Sequence, residues 1–139
     1  MQLQMIQIIR EMTDFVPGQR KNHKPFCNLP HEQKFWQPNT DIYETSSEVV
    51  IRLELAGVER EDIMIKMKNG FLLISGIRKD YRPDCNTCYH QLGIHYGKFE
   101  QKIPIPEQLE HNEVSALLQQ GILEIKISKT GKTEQIPII

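Results

Sequence analysis

A chain of 139 residues, 39 % apolar and 25 % charged, has a soluble globular balance and a length that suits one domain with tails rather than two domains. Its 17 basic and 18 acidic residues give a formal net charge of -1, so no overall field draws it to nucleic acid or to a membrane. Three cysteines are too few for a disulfide framework, no apolar run approaches the roughly 20 residues that span a bilayer, and the N-terminus lacks the basic and apolar regions of a signal peptide, so a cytoplasmic location is the default expectation.

Residues 1–36 differ from the rest. Leu3, Met5, Ile6, Ile8, Ile9, Met12 and Phe15 are spaced like the apolar face of a short helix, which Pro17-Gly18 ends. Residues 19–34 are polar, with Pro25 and Pro30. This segment reads as a flexible arm with adhesive side chains and too few of them to build a core. Trp36, the single tryptophan, stands where arm meets domain and reads as a packed hinge residue.

From residue 37 the apolar period becomes two. Val49, Ile51, Leu53 and Leu55 share one strand face, and Ile63, Ile65 and Met67 share another. Asn69-Gly70 separates the latter from Phe71-Leu72-Leu73-Ile74, and an Asn-Gly pair between two such runs signals a type I′ hairpin. Further runs cover residues 99–105, 114–118 and 122–128. Short strands at this spacing, with no room for crossover helices, predict an all-β, antiparallel β-sandwich over residues 37–129, immunoglobulin-like in architecture. Residues 79–91 form a polar excursion with Pro83, too long for a tight hairpin and long enough to reach a neighbour.

The tail, residues 130–139, is polar until Ile136-Pro137-Ile138-Ile139. Pro137 restricts the backbone to an extended form, which sets Ile136 and Ile138 on one side. That geometry suits a two-pronged plug for an apolar groove beside a sheet edge, although a frayed end with chance apolar residues has the same sequence.

Six short motifs in order resemble the small heat-shock proteins of the α-crystallin/Hsp20 family, of bacterial type. They are residues 38–45, Leu53-Glu54-Leu55-Ala56-Gly57-Val58, Leu72-Leu73-Ile74-Ser75-Gly76 with Arg78, Tyr96-Gly97-Lys98-Phe99 with Ile105-Pro106, Ala116 with Gly121-Ile122-Leu123, and Ile136-Pro137-Ile138. The resemblance covers roughly residues 37–139. It implies an α-crystallin-type sandwich, no enzyme activity and no cofactor. It also implies ATP-independent holding of partly unfolded client proteins under stress. Dimers are expected by strand exchange, with the excursion (Tyr81, Arg82) pairing with the partner's strand at Asp41, Ile42 and Tyr43. Larger homo-oligomers are expected from the Ile136/Ile138 plug entering a neighbour's groove lined by Ile63, Ile65, Met67, Ser115 and Leu117. One position departs from the family: Gln101 stands where an arginine is common, and an amide cannot form the bidentate ion pairs of a guanidinium.

Other chemistry is sparse. Cys85-Asn86-Thr87-Cys88 with His90 and His95 has donor atoms for zinc, but a structural zinc site has a second separated ligand pair and none is present. A Cys85–Cys88 redox pair and two ordinary loop cysteines are the alternatives. No nucleophile-base constellation and no phosphate-binding loop occurs. The partners expected are therefore client proteins and copies of the chain itself, with neither nucleic acid nor membrane. The competing class is a co-chaperone or scaffold sandwich binding one folded partner.

Overall fold

The structure, a computed structural model, describes residues 26–27, 35–80, 87–130 and 138–139. In chain order its strands are β1 (Phe26–Cys27), β2 (Thr40–Glu44), β3 (Glu48–Glu54), β4 (Ile63–Lys68), β5 (Phe71–Arg78), β6 (Cys88–Tyr89), β7 (Gly97–Pro104), β8 (Val114–Gln119) and β9 (Ile122–Ser128). Short 3-10 turns at Arg60–Asp62 and Glu107–Leu109 interrupt them. The chain divides into two compact units, residues 1–31 with 82–94, and residues 32–81 with 95–139. In the first, β1 pairs antiparallel with β6. In the second, a four-stranded sheet β2-β3-β9-β8 and a three-stranded sheet β4-β5-β7 form the antiparallel sandwich that the strand pattern predicts.

Alternation decides what the sandwich buries. Val49, Ile51 and Leu53 of β3, Leu72 and Ile74 of β5, Phe99 and Ile103 of β7, and Leu123, Ile125 and Ile127 of β9 all enter one core. Each such side chain contributes about 1.5–3 kcal/mol of transfer energy, which makes this layer the main source of stability. The Asn69-Gly70 turn has the positive φ values of a type I′ hairpin, 52° and 79°. A second turn of the same kind, Gln120-Gly121 with φ of 51° and 76°, joins β8 to β9. Glutamine is an uncommon first residue for such a turn; the register, with Gln119 opposite Ile122, leaves two residues to close it.

Three of the sequence motifs meet at one corner. Gly57, with φ 76°, turns the chain after β3, and the Ala56 carbonyl accepts a hydrogen bond from Arg78 Nε at 2.9 Å. The Gly121 carbonyl accepts from the Leu55 N–H at 2.7 Å, and a Cβ on Gly121 would lie 3.0 Å from Ala56 Cα. The Ala-Gly turn, the arginine ending β5 and the Gly-Ile-Leu opening of β9 are thus one packed junction.

Candidate functional site

The β8 edge carries the tail. Ile138 forms a parallel bridge with Ala116, the Ile139 N–H donates to the Ala116 carbonyl at 2.6 Å, and the Leu118 N–H donates to the Ile139 carbonyl at 2.9 Å. Ile138 packs against the core, as do the partly buried Ile65, Met67 and Leu118. The tail therefore adds a short strand to an edge of its own sandwich; Ile136 and Pro137 lie outside the described residues.

The groove differs from the expected one on its β8 side. Ile63, Ile65 and Met67 face inward from β4. Ser115 and Leu117 do not line it: both are exposed and point to the outer face, while Val114, Ala116 and Leu118 point inward. The segment is apolar at 114, 116, 117 and 118, so composition leaves the phase open. Pairing of Val114 with Ile127 and Ala116 with Ile125, both core residues of β9, sets it. Of the motif residues here, Leu123 is fully buried and Ala116 nearly so, Ile122 is half-buried, and Gly121 makes the turn.

β2 is the opposite edge of the same sheet. Among the described residues it pairs with β3 on one side only, and Asp41, Ile42 and Tyr43 are all exposed, Ile42 at 54 % and Tyr43 at 47 %. An edge of unpaired backbone donors and acceptors with apolar side chains is a template for a further strand. Gln101 donates from Nε2 to Thr40 Oγ1 at 3.2 Å, so the residue replacing arginine makes a neutral bond from β7 to β2. Tyr81 and Arg82 lie outside the described residues; the described strand of the excursion, β6, pairs with β1 of the same chain.

The β7 edge is closed by Trp36. Its backbone exchanges hydrogen bonds with the Lys98 carbonyl and the Glu100 N–H, each 3.1 Å, and its Nε1 donates to the Gly97 carbonyl at 3.1 Å. The indole lies against Phe99, stacks on the His95 ring at 5.9 Å between centroids, and has the Arg78 guanidinium 4.3 Å from its centroid. Arg78 also donates to the His95 carbonyl at 2.8 Å. Burial lowers the Arg78 pKa, while Tyr96 and Glu54 raise it. Trp36 is hence packed at the β7 edge, and its clamp on Arg78 and His95 has no signature in sequence spacing.

The candidate metal ligands are placed as follows. Cys85 lies outside the described residues, and Cys88 is disulfide-bonded. His95 is engaged with Trp36. Among the described residues no group of three or more His, Cys, Asp and Glu is arranged to hold a metal ion. No helix among them is long and apolar enough to cross a membrane.

Comparison with known proteins bears on this arrangement. Residues 41–138 match the model of the Hsp20/alpha crystallin family. Small heat shock protein C2 of Rickettsia felis is 35 % identical over 103 residues, covering 73 % of this chain and 67 % of that protein. The salt stress-responsive protein YocM of Bacillus subtilis is 34 % identical over 102 residues, covering 73 % and 63 %. Aligned segments thus span about two thirds of these relatives' length. Among solved structures, a small heat-shock protein from Xylella fastidiosa aligns with TM-score 0.61 at 27 % identity, covering 73 % of this chain and 94 % of that one. The hspA protein of Xanthomonas axonopodis aligns with TM-score 0.60 at 26 % identity, covering 72 % and 100 %. With the family model matched over residues 41–138 and a relative 35 % identical over 103 residues, the chain belongs to the Hsp20/alpha crystallin family of small heat-shock proteins.

Proposed function

We propose that the chain is an ATP-independent holdase of the cytoplasm that captures partly unfolded proteins on strand edges and apolar grooves. Family membership carries a chaperone role in general. The holdase reading is supported chiefly by the tail: one partly buried isoleucine and two backbone hydrogen bonds cover the β8 edge. Such a cover is weak. One isoleucine contributes at most about 3 kcal/mol of transfer energy, from which the ordering of a tail is subtracted. Edges pair with any extended backbone, so capture needs no particular client sequence.

Assembly follows from the same two edges. The open β2 edge pairs with the excursion of a second copy, which closes a two-fold dimer. The tail leaves its own β8 for a neighbour's, which links dimers into larger oligomers. The Xylella fastidiosa relative is described as forming a distinct high order structure, in keeping with this scheme. In a heating assay the full chain is expected to suppress light scattering from an aggregating enzyme without ATP. Undiminished aggregation at equimolar subunits would sink the holdase reading.

A redox-responsive variant of this function is favoured by one observation, the disulfide at Cys88. The other cysteines are Cys27 and Cys85, and the β1–β6 register sets Cys27 opposite Cys88. Directly opposed residues in an antiparallel pair have Cα atoms about 4.5–5.5 Å apart, within disulfide reach. In a buffer of oxidised glutathione, one thiolate displaces a glutathione thiolate to give a mixed disulfide. The second protein thiolate then displaces the other. Peptide mapping of the oxidised protein is expected to show an intramolecular cross-link at Cys88, with native mass differing between oxidised and reduced protein. Equal mass and equal holding activity in both states would discard the redox variant and leave the holdase in place.

A further inference from the structure

The outer face of the β4-β5-β7 sheet is charged against the balance of the chain. Residues 37–128 carry ten basic and fourteen acidic residues. Four of those ten, Lys66, Lys68, Lys98 and Lys102, share this face with one carboxylate, Glu100. The remainder of that segment is left with six basic against thirteen acidic residues. Among the described residues none of the four lysines takes part in an ion pair. Lys66 and Lys68 are two positions apart on β4, roughly 6.6 Å, and Lys102 lies two strands across from Lys66, roughly 10 Å, so these three ammonium groups lie within about one Debye length of a neighbour, whereas Lys98 stands four positions from Lys102 with Glu100 between them.

Apolar side chains are interleaved with them. The register sets Leu73 between Lys66 and Lys102, Phe71 between Lys68 and Pro104, and Ile77 beside Lys98. Met64, Phe71 and Ile77 are exposed at 51 %, 36 % and 38 %. The face is therefore a flat surface of cations on long apolar stems with apolar bodies between them. We propose that it docks on the surface of an anionic phospholipid bilayer, with lysines at the headgroup phosphates and Met64, Phe71 and Ile77 reaching the acyl boundary.

Two other occupants fit less well. On the outer face of a second copy's four-stranded sheet, Glu124 is already paired with Arg52 at 3.4 Å and Lys126 at 3.6 Å, so the acidic field there is partly cancelled. Single-stranded nucleic acid would use aromatic stacking platforms. The one aromatic residue on this face, Phe71, has Lys102 Nζ 4.2 Å from its ring centroid.

The test is flotation of the full chain with vesicles of phosphatidylglycerol and phosphatidylcholine, and with phosphatidylcholine alone. The protein is expected to float with the anionic vesicles, to be released by high salt and to stay behind with the neutral ones. Replacing all four lysines by glutamine, at exposed positions where circular dichroism will show an unchanged fold, is expected to lower partitioning by at least roughly tenfold. The proposal is overturned if the wild type ignores anionic vesicles. It is overturned equally if the glutamine variant floats as well as the wild type, which would assign lipid contact to the apolar residues of the arm. Stripping by duplex DNA at equal phosphate would make the ligand nucleic acid, and a lysine-dependent native mass without vesicle binding would make the face a self-interface; either result overturns it. Client protection measured on the same samples separates the two readings, since a chain that floats but does not protect sinks the holdase alone.

Discussion

Gly76→Ala is expected to destabilise the sandwich by about 3 kcal/mol or more, near or above the top of the range for overpacked cores. The urea midpoint will fall, with the slope unchanged. A Cβ at this position would lie 2.1 Å from the Asp62 carbonyl oxygen and 2.7 Å from the Phe99 ring. Neither neighbour yields easily. Asp62 O belongs to the backbone of the 3-10 turn that starts β4, and Phe99 is fully buried. β5 is the central strand of its sheet, paired through Gly76 with Ile63 on one side and Phe99 on the other, so it cannot slide away. Ser75→Ala, one residue earlier on the outer face, is expected to cost less than about 0.5 kcal/mol. Equal midpoints for the two variants would show that the sheet absorbs the extra methyl and that this crowding carries no energy.

Ile136→Ala combined with Ile138→Ala is expected to reduce the native mass from a large oligomer to dimers, read by light scattering. Each truncation removes up to about 2–3 kcal/mol of gross transfer energy. That is large beside the weak net energy of one tail contact, and an assembly held by many such contacts loses all of them together. The half-buried setting of Ile138 against the core puts its contribution toward the lower part of that range. The dimer should survive, because strand exchange uses β2 and not β8. An unchanged mass would mean that the tail only covers its own groove, as the bridge between Ile138 and Ala116 depicts.

Much of the architecture is readable from residues. The recurrence of Val49, Ile51 and Leu53 at every second position names the core-facing side of β3 without any coordinates, and Asn69-Gly70 names the turn between β4 and β5, because both signals are local properties of the backbone. The β8 groove was harder to read. Leu117 is more apolar than Ala116, and only pairing with β9 shows that Ala116 is the inward residue. The partner of the Cys88–Tyr89 strand, Phe26–Cys27, lies some sixty residues away, beyond the reach of any pattern. Trp36 could be marked as a hinge, yet its stack with Arg78 and His95 joins residues from three separate segments.

By itself the sequence determined the strand runs of the sandwich, the hairpin at Asn69-Gly70, the all-β class and the family motifs, since each depends on a period of two or on the φ tolerance of one or two residues; β1 and β6 fall in segments that read as an arm and a polar excursion. Only the tertiary structure decided which strands are neighbours. From that follow the crowding at Gly76, the seat of the tail on β8 and the inward phase of Ala116. It also separated the charge: a net charge of -1 is a sum that carries no position, whereas strand register gathers four lysines on one face and leaves the acidic excess elsewhere. Register is fixed by non-local pairing and burial of a shared core, and those are the quantities a linear chain does not display.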